Sequence, residues 1–188
     1  MTEPKLLFRQ IAAANPWTTV VSESLEYGSG KLGEYLIVER EPALMIIALI
    51  RKDGILHTYL VNQFRYPIAQ TIWQFPMGTL ERGNDPFTHA AAEFQQETGL
   101  VCQKLTLMGE YFVDPGLSRQ KCLVFIAESV IEGGQQELEE TEFGLVAKCV
   151  TLAEFEKLLA LGELNDSWGY VGAHFLRKYS EQAKNAIE

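Results

Sequence analysis

The stretch GTLERGNDPFTHAAAEFQQETGL, from Gly78 to Leu100, constrains the chain most, because its second half reads as a helix with both ends marked. Asp85 suits the N-cap, Pro86 the first helical position, and Gly99 the place where a helix stops. Ala90, Ala91 and Phe94 can face a core, while His89, Glu93 and Glu97 recur at every fourth position. Positions so spaced differ by only about 40° around the axis, so Glu93 and Glu97 share one face. Two adjacent carboxylates repel each other unless a cation lies between them. Oxygen ligands of this kind suit Mg²⁺ or Mn²⁺ rather than zinc. On spacing alone, a solvated helix edge with two ordinary glutamates remains the stronger reading.

The flanking residues change the balance. The stretch resembles the signature of the Nudix hydrolases, G-x5-E-x7-R-E-U-x-E-E-x-G-U, with U a bulky aliphatic residue. Gly78, Glu93, Glu97, Gly99 and Leu100 match in register, and Phe94 matches the first U loosely. Asn84 stands in place of the first Glu, Ala92 in place of the Arg, and Gln96 in place of the first Glu of the pair. The resemblance implies that Glu93 and Glu97 hold metal, with the Met77 carbonyl and Gln96 as further ligands. It also implies that the missing Glu and Arg mainly tie the loop to the helix. Losing both together leaves no unpaired buried charge. Gln96 can still coordinate through its amide oxygen but brings no negative charge, so additional cations should bind more weakly.

A length of 188 residues suits one domain, or one domain with a small appendage. A net charge of −9 argues against nucleic acid or an anionic membrane surface as partner, although bound cations can reverse the local field for a phosphate. Cys102, Cys122 and Cys149 are isolated in apolar surroundings and read as buried thiols of a reducing compartment. No charged-then-apolar leader opens the chain and no apolar run is long enough to span a bilayer, so the expected location is the cytoplasm.

Taken in order, Leu6, Leu7, Phe8 and Ile11 suggest a short packed segment. Trp17 to Tyr27 and Glu34 to Arg40 flank a glycine-rich turn and predict a hairpin. Ala43 to Arg51 is a near-continuous apolar run, followed by a Lys52-Asp53-Gly54 turn and a strand from Leu56 to Phe64. Ile72 to Phe75 leads as a short strand into a Pro76-Met77-Gly78 loop. Leu105 to Val113, Cys122 to Glu128 and Leu145 to Val150 read as later strands. Thr151 and Glu154 form a capping box, and a last helix begins near Asp166 with Trp168, Val171 and Phe175 on one stripe. This order predicts an α+β or layered domain. The resemblance implies the Nudix fold, an α/β/α sandwich with a mixed sheet over 42–188. Residues 1–41 would form an N-terminal β-hairpin region that reaches the partner subunit of a homodimer.

Asn62-Gln63-Phe64-Arg65-Tyr66-Pro67 sits at a strand end and looks like the Q-Y-R segment of the branch that acts on ADP-ribose and nucleotide sugars. By that likeness Arg65 would grip a diphosphate, with Phe64 and Gly78 lining the substrate; the alternative is a strand-end cation paired with a nearby acid. Asp114-Pro115-Gly116 falls where that branch carries a proline, and otherwise is a plain turn. The acidic loop holds Glu137, Glu139, Glu140 and Glu142. Glu140 or Glu142 would assist the attacking water, or the loop is simply solvated. His89 could sit beside the metals or be a partly exposed helix residue. Trp73, Phe64 and Tyr66 could stack on a base or belong to the core.

The resemblance therefore implies a Mg²⁺-dependent (or Mn²⁺-dependent) pyrophosphohydrolase. It would cleave a small-molecule nucleoside diphosphate joined to a sugar, ADP-ribose first among them. A Nudix-fold binding or regulatory protein with weak or lost turnover is the alternative that Asn84, Ala92 and Gln96 keep open.

Overall fold

The computed structural model of the protein describes residues 3–185. The chain divides into two compact units, one running up to Pro42 and including Tyr111–Cys122, the other comprising Ala43–Glu110 and the chain from Leu123 onward. The sequence boundary at residue 41 thus omits a segment, 111–122, that returns to the N-terminal unit.

That unit is built on a three-stranded sheet in the order β1 (Lys5–Ala14), β2 (Thr19–Glu26) and β3 (Leu32–Glu39), antiparallel throughout. The expected hairpin is β2–β3. Leu6, Leu7, Phe8 and Ile11 are not packed as expected: every residue of β1 is exposed, because it is an outer strand that no other described residue covers. Glu23, a buried acid on β2, is matched by two guanidinium groups. Arg9 and Arg119 each donate to Glu23 at 2.9 Å and to Glu39 at 2.6 Å. A carboxylate taken out of water needs such charge-assisted bonds to be tolerated.

In the second unit, the apolar run expected as one strand is split at Leu49. Its first half, β4 (Ala43–Ala48), joins β8 (Met77–Thr79), β9 (Leu100–Phe112) and β10 (Lys121–Glu132) in the order β8-β4-β10-β9. Its second half, β5 (Ile50–Lys52), pairs instead with β6 (Ile55–Arg65) in a sheet ordered β11-β6-β5. There β11 is Val146–Thr151, and β7 (Gln70–Gln74) also pairs with β6. The expected loop at Pro76-Met77-Gly78 is partly strand, since Met77 and Gly78 pair with Met45 and Leu44.

β4 is buried on both faces, as its unbroken apolar sequence requires. Leu44, Ile46 and Ala48 pack with Ala90 and Phe94 of helix α1 (Pro86–Thr98). Met45, on the other side, lies against Gly172 of helix α3 (Ser167–Asn185), where Phe75 also abuts. Helices therefore cover β4 from two sides. Helix α2 (Leu152–Ala160) opens on the expected capping box of Thr151 and Glu154, and its Phe155 stacks on Phe75 with ring centroids 5.6 Å apart. The stripe of α3 is displaced by about one residue from the expected one. Trp168, Val171 and Phe175 are half-buried, whereas Gly172, Ala173 and Leu176 face inward. Small residues win there because a side chain at Gly172 would overlap the Phe75 ring. Of the three cysteines only Cys122 is buried; Cys102 and Cys149 are half-buried, and all three are thiols.

Candidate active site

Helix α1 forms where the local signals place it. The Asp85 carboxylate accepts the Thr88 N–H at 2.8 Å, Pro86 leads, and Gly99 takes a left-handed conformation with φ 71°. Burying Phe94 and Ala90 against β4 fixes the rotation of the helix, and this sends Glu93 and Glu97 toward β8. Glu97 is only 1% exposed, and its Oε2 accepts the Met77 N–H at 2.9 Å. Gly78 lies directly behind Glu93: a Cβ there would come well under 3.0 Å from the Glu93 carboxyl carbon. The two glutamates are thus held on one surface by strand and helix together.

Burial is the main influence on both groups. It pushes the Glu93 carboxyl up to about 7; contact with His89 works against this, and the charges of Glu142 and Glu139 add to it. Glu97 is held well above the ordinary carboxylate range by burial first and then by the Glu142 charge, with the Met77 N–H and Arg65 pulling the other way. Carboxylates crowded together out of water favour a shared proton or a bound cation.

Glu142, on the acidic loop, adds its charge to both groups. Residues Glu140–Glu142 form a single tight turn in which the Glu139 N–H donates to Glu142 Oε2 at 3.0 Å. The turn is tethered by Gln63, whose amide donates to the Thr141 carbonyl at 3.2 Å. Upstream, the loop satisfies carbonyls at the end of α1, with the Glu137 N–H on Gln96 at 2.9 Å and the Gln136 amide on Glu97 at 2.7 Å. Glu142 is half-buried and its charge acts on both helix glutamates, whereas Glu140 is exposed.

Arg65 is half-buried at the end of β6, and its Nε donates to Gln74 Oε1 at 2.6 Å. The Gln74 amide in turn donates to Asp166, whose other oxygen accepts the Gly169 N–H at 2.6 Å at the start of α3. Gln74 and Asp166 were not singled out from sequence; the only signal was Asp166 as a helix start. Phe64 and Tyr66 are exposed rather than core, and Trp73 is half-buried. Gln96 is half-buried. His89 is also inward, with Nε2 3.0 Å from Glu93 Oε1. Asp114 builds its own turn, its carboxylate accepting the Gly116 N–H and its carbonyl the Ser118 N–H.

The donor set fits a hard divalent cation in part. The buried Glu97 carboxylate, the half-buried Glu93 carboxylate and the Met77-Gly78 backbone converge, and the charge of Glu142 acts on both acids. Among the described residues no three His, Cys, Asp or Glu side chains form a ready-made ligand cage. Such a site suits an ion that keeps waters and takes substrate oxygens to complete its shell, which is the habit of Mg²⁺. No helix among the described residues is long and apolar enough to cross a membrane.

The chain is 35% identical over 147 residues to an ADP-ribose pyrophosphatase of Bacillus subtilis (strain 168), covering 77% of each protein. It is 25% identical over 156 residues to a methanol dehydrogenase activator of Bacillus methanolicus, covering 82% of each. A crystal structure described as that of an ADP compounds hydrolase superposes over 97% of both chains with a TM-score of 0.83 at 20% identity, a likeness of fold. The NUDIX domain model matches residues 39–168, which takes in β4, the glutamate pair, Arg65 and the acidic loop. Having the α+β Nudix fold and most of its signature, the chain belongs to the NUDIX domain family.

Proposed function

We propose that the protein hydrolyses the pyrophosphate bond of ADP-ribose or a related nucleoside-diphosphate sugar, releasing a nucleoside monophosphate and a sugar phosphate. The observation that carries this is the Glu93–Glu97 pair, Glu97 buried and Glu93 half-buried beside Met77 and Gly78, with the charge of Glu142 acting on both. The name of the 35%-identical relative supports the choice of ADP-ribose.

In this reading Glu93 and Glu97, with the Met77 carbonyl and Gln96, hold Mg²⁺ or Mn²⁺. Such an ion supplies charge to the diphosphate oxygens and makes a bound water easier to deprotonate. Glu142 would orient the attacking water and take its proton, a role supported by its half-buried position and its charge effect on both glutamates. Arg65, steadied by Gln74, grips the diphosphate, and Phe64 and Gly78 line the approach. β1 presents Leu6, Phe8 and Ile11 to solvent, and an apolar strand so exposed is suited to cover by a second copy of the chain. The functional unit in this reading is a homodimer, which light scattering tests directly.

Incubation with ADP-ribose and Mg²⁺ should release AMP, and Glu97→Gln should abolish release. Unchanged turnover in that variant would remove the metal role assigned to Glu97. Tight nucleotide binding without product, with either Mg²⁺ or Mn²⁺, would instead favour a binding protein. The neutral Gln96 is the residue that motivates that second reading.

A further inference from the structure

Asn84 and Ala92 cannot form an ion pair with each other, and Asn84 connects the loop before α1 to the helix through His89. The Asn84 amide nitrogen donates to Glu81 Oε2 at 3.1 Å and lies 3.1 Å from His89 Nδ1. An amide nitrogen carries only hydrogens, so Nδ1 must be the acceptor and the ring proton must sit on Nε2. That Nε2 is shut off from solvent and makes no hydrogen bond of ordinary geometry; the group it faces is Glu93 Oε1, 3.0 Å away. His89 stands one helical turn before Glu93, and Gly78 closes the opposite side of the carboxyl.

We propose that Asn84 and His89 act as a positioning relay: Asn84 sets the imidazole tautomer, and His89 Nε2–H holds the Glu93 carboxylate in the orientation that receives the divalent cation. The proposal rests on Glu93 as a metal ligand and adds the residues that aim it. A carboxylate so gripped loses less rotational freedom when the ion binds, and outer-shell partners of this type commonly matter nearly as much as the ligands. The relay also accounts for a signature that lacks both loop-tying residues yet keeps Glu93.

The test is a Mn²⁺ titration of the intact protein without substrate, read by the paramagnetic resonance of unbound Mn²⁺. His89→Ala should weaken Mn²⁺ binding by about tenfold or more, with a normal circular dichroism spectrum. His89→Gln, which can still donate an N–H toward Glu93, should recover most of the loss, and Asn84→Ala should fall between. At limiting Mn²⁺ the kcat of His89→Ala should drop and then return at saturating Mn²⁺, a split that a merely structural defect would not produce. In the wild-type protein, nitrogen-15 spectra of the ring should show the proton on Nε2. That spectrum decides the matter even if the alanine variant does not fold. Wild-type Mn²⁺ affinity in His89→Ala, or a proton on Nδ1, would overturn the relay. If Glu93→Gln abolishes Mn²⁺ binding while His89→Ala does not, the relay alone fails. If Glu93→Gln also binds normally, the metal assignment fails with it.

Discussion

Gly78 and the Glu93 carboxyl occupy adjoining space with no room for a methyl group between them. The glycine is required here for the close approach of strand β8 to helix α1, and an alanine must push the carboxylate aside. Gly78→Ala should lower kcat/KM by about 10²-fold, the effect typical of misplacing a catalytic group by about an ångström. The denaturation midpoint should change far less. An alanine variant of normal activity would mean that the Glu93 position is not critical.

The two candidate loop acids should separate cleanly. Glu142 lies near Glu93 and Glu97, and Glu140 points to solvent. Glu142→Gln should reduce kcat by about 10²-fold or more, the usual worth of a general base, while Glu140→Gln should stay within about threefold. Equal losses, or the reverse order, would move the water-assisting role away from Glu142.

Stability of the metal-free protein should depend on pH in an unusual direction. Glu93 holds its proton up to about 7 when folded, against an ordinary 4.5. Between those values the native state binds more protons than the unfolded state, so stability falls as pH rises. The native-state advantage is intact below about 4.5 and lost by about 7, and Glu97 acts in the same sense. Denaturant titrations with a chelator should show this decline, and saturating Mg²⁺ should offset it at neutral pH. Glu93→Gln should flatten the slope; a metal-free protein whose stability climbs through this window would contradict the charge cluster.

Gln96 offers a gain-of-function test. Supplying the missing charge with Gln96→Glu should tighten Mn²⁺ binding by about tenfold, since affinity follows the number of charged ligands. Calorimetry that finds no change would place Gln96 outside the metal shell.

Phe94 anchors the helix rather than the chemistry. It is fully buried, packing on β4 and lying perpendicular to the Tyr59 ring with centroids 6.5 Å apart. Phe94→Ala should cost about 3–5 kcal/mol in urea denaturation. Because Phe94 sets the rotation of α1, activity should fall as well, even where the variant remains folded. Full activity in a folded variant would show that the helix is held by other contacts.

Helix α1 was legible almost to the residue, because an N-cap, a leading proline and a left-handed glycine act within a few positions of one another. The shared face of Glu93 and Glu97 was legible for the same reason, since helical spacing is local. The split of the Ala43–Arg51 run was not. An unbroken apolar sequence states that a strand is buried, not which sheet each half joins. The exposure of β1 was equally hidden, because apolar residues look alike whether or not something covers them.

By itself the sequence pointed to the family, to helix α1 and to the shared face of Glu93 and Glu97. Tertiary structure brought the Glu142 charge to bear on Glu93 and Glu97, linked Arg65 to Gln74 and Asp166, and brought His89 between Asn84 and Glu93. Those choices depend on burial and on charges brought together from distant parts of the chain, and no local pattern encodes either.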